Sequence, residues 1–160
     1  MLNTVKHVVK ILLIALLLSG LASAQTVTKS HVPRTVKKSF REKFPAAKRV
    51  EWKPKSDRNY EAEFSLNGTD IAVKFDPKGK WLETESTASQ SSVPSALQDT
   101  IATRFKEYKV VEIQTLHRYN EQHVVWEIHL EGANEIVKAQ FNGDGALLSR
   151  SAKPKKGKEK

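Results

Sequence analysis

The chain runs through one pattern twice. Val32-Pro33 is followed 61 positions later by Val93-Pro94, and the same offset pairs Val36 with Leu97, Phe40 with Ile101, Phe44 with Phe105, Val50 with Val111 and Glu51 with Glu112. Farther on, Leu66-Asn67-Gly68 matches Leu130-Glu131-Gly132 and Phe75-Asp76 matches Phe141-Asn142, so the offset drifts to 64 and then 66. Two copies of one pattern, about 31–85 and 92–151, are expected to build the same supersecondary unit. Each alone would have a marginal core, so the two are expected to fold together.

Each copy opens on a helix. Val32, Val36, Phe40 and Phe44 recur every four residues, as do Val93, Leu97, Ile101 and Phe105. That spacing sets them on one helical face. Pro33 and Pro94 stand at the starts, where a missing N–H costs nothing, and Pro45 stops the first helix. Strands follow, because Arg49–Lys53, Tyr60–Leu66, Ile71–Phe75 and Lys80–Glu85 alternate polar and apolar between the Asn67-Gly68 and Asp76–Gly79 turns. The second copy offers Val111–Ile113, Val124–Leu130, Ile136–Phe141 and Ala146–Arg150, with Asn142–Gly145 as its last turn. Ser86–Ser92 reads as the linker. The expected fold is α+β: a tandem duplication of a helix followed by a four-stranded antiparallel sheet, the helices packed on one sheet face.

The two ends are different polymers. Lys6 and Lys10 precede the apolar run Ile11–Leu18, and Ala22-Ser23-Ala24 supplies small residues for cleavage. This is the three-part layout of a signal peptide over residues 1–24, and the apolar stretch is shorter than the roughly 20 residues of a spanning helix. The expected location is secreted or periplasmic, after cleavage near Ala24. Cysteine is absent, so no disulfide helps the 25–152 domain stand. The net charge of +9 falls to +7 without Lys6 and Lys10, and the last ten residues carry five lysines and one glutamate, or +4, leaving +3 for the body (7 − 4). Charge so localised is a basic tail, expected to be disordered over 153–160, rather than a nucleic-acid surface.

Alternation also assigns faces. Tyr60, Ala62, Phe64, Leu66, Ile71, Val73 and Phe75, with Val124, Trp126, Ile128, Leu130, Val137, Ala139 and Phe141 in the second copy, are expected to form the core beneath the helices. Glu51, Glu61, Glu63 and Lys74 then point to the other face, together with Val110, Glu112, Val125, Glu127, His129, Ile136, Lys138 and Gln140. With no helix left to cover it, that face should be open. Val125 and Ile136 are apolar at positions expected to meet solvent, which often marks a protein contact. The candidate partner-binding residues are therefore Val125, Glu127, His129, Ile136, Lys138 and Gln140.

No catalytic constellation stands out. Ser39, Ser65 and Ser95 lack any nucleophile signature, and the Asp76 and Asp144 turns are too short for a calcium hand. Glu127, His129 and Glu131 alternate on one strand, but i, i+2 side chains splay and no second histidine aligns, so a solvated outer strand is the expectation and no metal is assigned.

The pattern as a whole resembles the PepSY-like, β-lactamase-inhibitor-like secreted proteins. Val32-Pro33, Phe40, Phe44, the Val50-Glu51-Trp52 strand, Phe75–Lys80 and their second-copy partners carry the likeness, which covers essentially the whole mature chain. The resemblance implies a helix-plus-sheet fold in the cell envelope, and the inhibitors that named the family grip an enzyme with an exposed sheet. The expectation is a non-catalytic protein without cofactor. Its open sheet face would bind a protein or peptide, such as a secreted enzyme. The alternative is an anionic polymer or membrane surface met by the basic tail.

Overall fold

The computed structural model describes residues 32–155. The element order is α1 (Arg34–Lys43), β1 (Lys48–Pro54), β2 (Tyr60–Leu66), β3 (Thr69–Phe75), β4 (Trp81–Thr87), a 3₁₀ turn, α2 (Ser95–Arg104), β5 (Lys109–Arg118), β6 (Val125–Glu131), β7 (Glu135–Phe141) and β8 (Leu147–Pro154). The strands lie in one eight-stranded sheet in chain order. Every neighbouring pair is antiparallel.

This corrects the expected fold class. The protein is mostly one continuous antiparallel sheet with two ten-residue helices, not a duplicated helix followed by a four-stranded sheet. The seam is β4 against β5: Glu83 pairs with Arg118, Glu85 with Leu116 and Thr87 with Gln114. Two segments read otherwise from sequence make that seam. Ser86 and Thr87 belong to β4 rather than to a linker. β5 runs to Arg118, well past Ile113, and its second half pairs with β4 and β6 at once.

The helix stripes are buried as their spacing requires. Val32, Val36 and Phe40 pack with Trp52, Ala62, Phe64, Val73 and Phe75. Val93, Leu97 and Phe105 pack with Ile113, Ile128, Leu130, Val137, Ala139 and Phe141. Cross-strand pairing puts both clusters on the same side of the sheet, since neighbouring Cα partners share a face. Phe40 is the hub of the first, meeting Trp52 and Phe64 edge-on with centroids 5.3 Å away. Its counterpart Ile101 is only partly buried. Pro33 and Pro94 cap rather than begin the helices, each carbonyl accepting the first helical hydrogen bond, from Lys37 and Gln98.

One local device ties each last hairpin to its helix. Asp76 Oδ1 accepts from the N–H groups of Lys78 and Lys80, and Asn142 Oδ1 from those of Asp144 and Ala146. Gly79 and Gly145 follow at φ 87° and 81°. A Cβ on Gly79 would lie 2.9 Å from Thr35 O, and one on Gly145 2.7 Å from Ala96 O. Only glycine allows both the left-handed backbone and the close approach to the helix. The turns therefore hold the helices on one side of the sheet.

β8 extends to Pro154, so Lys153 and Pro154 belong to the sheet rather than to a tail. Lys155 N–H donates to Asn134 O at 2.8 Å. The rest of the expected tail, 156–160, and the signal peptide lie outside the described residues.

Candidate functional site

The face away from the helices carries a charged residue at most positions. β1 and β2 contribute Glu51, Lys53, Glu61 and Glu63; β3 and β4 contribute Lys74, Glu83 and Glu85. β5 adds Glu112, Gln114, Leu116 and Arg118, β6 adds Val125, Glu127 and His129, and β7 adds Ile136, Lys138 and Gln140. Val110 is not among them. A register shift between Val110 and Glu112 turns it toward the helix-side core, because a bulge adds one residue and inverts the alternation behind it.

No other element covers this face among the described residues, yet its centre is dry. Leu116 is 3 % exposed, Val125 5 %, Glu127 3 % and His129 4 %. The sheet itself provides the cover. Arg118 on β5 donates through Nε to Glu83 on β4 at 2.6 Å and through Nη2 to Gln140 on β7 at 3.2 Å. Arg118 thus bridges β4 and β7 across the intervening strands. Val125 is therefore floor, not a contact presented to solvent as the alternation suggested. Ile136, Lys138 and Gln140 remain partly exposed.

At the centre, Glu127 gathers three donors. His129 Nε2 lies 3.0 Å from its Oε1, Lys138 Nζ 2.7 Å from the same oxygen, and Gln140 Nε2 donates to Oε2 at 2.7 Å. Burial would raise the Glu127 carboxyl, but His129, Lys138 and Gln140 outweigh it and hold the group at about 2. His129 Nδ1 sits 2.9 Å from Glu112 Oε2, obliquely enough to be a charge contact rather than an aligned hydrogen bond. Burial would lower the imidazole; the carboxylates of Glu112 and Glu127 prevail and raise it. Lys138 is raised as well, Glu127's charge overcoming the burial. The solvated outer strand expected here is instead a buried ion network, and the i, i+2 pair Glu127 and His129 touches rather than splays.

Glu85 is the opposite case. Burial, then the charge of Glu127, pushes its carboxyl up to about 7, with Glu61 and Glu83 adding and Lys138 opposing. Sequence reasoning passed over Glu85, Gln114, Leu116 and Arg118, because Gln114–Arg118 shows no clear apolar period. Glu131, the third member of the alternating set, pairs with Lys155 at 2.7 Å. No group of three or more metal-ligating side chains comes together among the described residues. Nor is any described helix long and apolar enough to cross a membrane.

Solved structures share this architecture. A DUF2874 family protein from Bacteroides uniformis matches with a TM-score of 0.69 at 19 % identity, over 75 % of this chain and 88 % of its own. A chain from Bacteroides eggerthii described among "putative periplasmic proteins" gives 0.70 at 21 % identity, over 76 % and 89 %. A BLIP-like protein from Bacteroides fragilis gives 0.66 at 21 %, over 80 % and 92 %. No curated protein matches the chain. The family described as "Putative beta-lactamase-inhibitor-like, PepSY-like" matches residues 22–68 and 58–148. Those two stretches span the repeated pattern, both helices and seven of the strands, and the chain belongs to the PepSY-like, β-lactamase-inhibitor-like family.

Proposed function

We propose that this is a non-catalytic binding protein of the cell envelope, exported by its signal peptide, which holds a protein partner such as a secreted enzyme on its uncovered sheet face. One observation carries the reading. Both helices pack on one side of a continuous sheet, and the other side, internally ion-paired, has no covering element among the described residues. A surface whose charges are already fixed by one another loses little freedom when a partner arrives. Ile136, Lys138 and Gln140 supply the accessible part at the second half, with Val125, Glu127 and His129 beneath them. The likeness to a BLIP-like protein supports the same mode.

The test is an affinity pull-down from envelope extract with the mature chain, with mass spectrometry of what stays bound. Capture should survive added salt and removal of residues 156–160, and should be lost in Ile136→Lys. Capture that collapses with salt and with that truncation assigns binding to the basic tail and an anionic surface instead.

A further inference from the structure

We propose that Glu85 anchors a cationic side chain, lysine or arginine, of the partner held on the uncovered face; the proposal rests on the binding reading above and names its chemistry. Glu85 pairs with Ala72 on β3 and Leu116 on β5, and Leu116 pairs with Val125 on β6. Its carboxylate therefore stands in an apolar strip, half-buried but reachable. The other central carboxylates are served: Glu61 by Lys55, Glu63 by Lys53, Glu83 by Lys74 and Arg118, Glu112 by His129, Glu127 by Lys138. No ion pair to Glu85 forms among the described residues.

A second group nearby also lacks a donor. Gln114 is 8 % exposed, lies on the same face one pair along from Leu116, and its Oε1 accepts no hydrogen bond. A buried carbonyl left unpaired costs about 1–3 kcal/mol, and its neighbour Glu127 has its donors already committed. The centre of the face is thus rich in acceptors and short of donors. Ammonium and guanidinium groups are all donor, and their methylene stems lie well on apolar residues such as Ala72, Leu116 and Val125. An acidic side chain would meet Glu61, Glu83 and Glu127 and be repelled.

The site also implies a pH dependence. Glu85 is faced by Glu61 from β2, Lys74 from β3, Arg118 from β5, Glu127 from β6 and Lys138 from β7, with Glu83 beside it on its own strand. The two cations nearest its row are held by Glu83, and Lys138 by Glu127. An incoming cation favours the ionised form of Glu85, so uptake should weaken as pH falls below about 7.

The experiment is a carbon-13 carboxyl titration of the mature protein in methylguanidinium chloride, in methylammonium chloride, and in sodium chloride at equal concentration. Glu85→Gln assigns the resonance. Either organic cation should lower the Glu85 midpoint by about one pH unit relative to sodium, with the other carboxylates following the sodium control. A response to methylguanidinium alone selects arginine, and one to methylammonium alone selects lysine. Gln114→Leu, which removes the unpaired carbonyl, should fold and should diminish the response. A Glu85 midpoint that moves no more than in sodium chloride, or that moves in step with every other carboxylate, overturns the proposal. Because these probes need no protein partner, a normal Glu85 response with nothing captured from extract keeps the cation site and rejects the partner reading.

Discussion

Lys53 with Glu63 and Lys138 with Glu127 are the same kind of contact in the two halves: a lysine and a glutamate on adjacent antiparallel strands of the uncovered face, at 2.5 and 2.7 Å. Their surroundings differ. Glu63 keeps a quarter of its side chain in water, whereas Glu127 keeps 4 % and is also bonded by His129 and Gln140. In the first half the neighbours are other long charged chains, themselves partly exposed. In the second half Leu116 and Val125 form a floor, and Arg118 roofs it by spanning from Glu83 to Gln140. Equal geometry therefore carries unequal energy, since desolvation decides what an ion pair contributes.

The halves also depend on each other, and separating them should have the largest effect. β4 is the last strand of the first half and hydrogen-bonds β5 from Glu83 to Thr87. Residues 25–90 expressed alone leave that edge unpaired and should show no cooperative melting by calorimetry. A sharp independent transition would mean that the seam is a contact between two finished units.

Next comes the helix stripe. Phe40→Ala should cost about 3–5 kcal/mol in urea unfolding. Ile101→Ala, at the equivalent but only partly buried position, should cost about 2 kcal/mol, at the low end for Ile→Ala. Equal losses would show that the second helix is as deeply seated as the first.

The ion pairs follow. Glu127→Ala leaves half-buried Lys138 without its carboxylate and His129 with Glu112 alone, and should cost about 3 kcal/mol. Glu63→Ala should cost less than about 1 kcal/mol. The difference should depend on pH. Glu127 titrates lower in the folded protein, at about 2, so its contribution is full above its ordinary 4.5 and is lost as pH falls toward about 2. His129 titrates above its ordinary 6.5 when folded, so its contribution is full below 6.5 and is lost as pH rises through the folded value. The gap between the two variants should thus be widest between about 4.5 and 6.5.

The smallest effect is a gain. Glu85 is raised to about 7 on folding, so its charge opposes the fold at higher pH. Glu85→Gln should stabilise by about 1–2 kcal/mol at pH 8, after discounting for the water that reaches the group, and by little at pH 4. A uniform gain at both would point to packing instead of charge.

What the sequence disclosed was local. Four-residue spacing of Val32, Val36 and Phe40, alternation from Tyr60 to Leu66, and the Asp76 and Asn142 turns each act within a few residues, and each appears as read. The joining of β4 to β5 did not appear. The pairs Thr87 with Gln114 and Glu83 with Arg118 lie far apart in sequence and carry no apolar period. The six candidate site residues all do lie on the uncovered face. Alternation gives a side of the sheet but not which positions neighbouring side chains seal, so it could not say that Val125, Glu127 and His129 are sealed while Ile136, Lys138 and Gln140 stay reachable. For the same reason Glu85 and Gln114 passed unnoticed: their shortage of partners exists only once five strands are side by side.

The central claim is that the β4–β7 part of the uncovered face, rather than its β1–β2 end, holds the partner. The direct measurement is the Kd of the captured partner for three mature proteins: the natural chain, Ile136→Lys on β7 and Glu51→Lys on β1, each with its melting temperature. Ile136→Lys should weaken binding at least about tenfold, or about 1.4 kcal/mol, while Glu51→Lys changes it by less than about threefold, a change expected of a rim charge. All three should melt within a few degrees of one another. Loss of affinity in Glu51→Lys with Ile136→Lys binding normally would contradict the account.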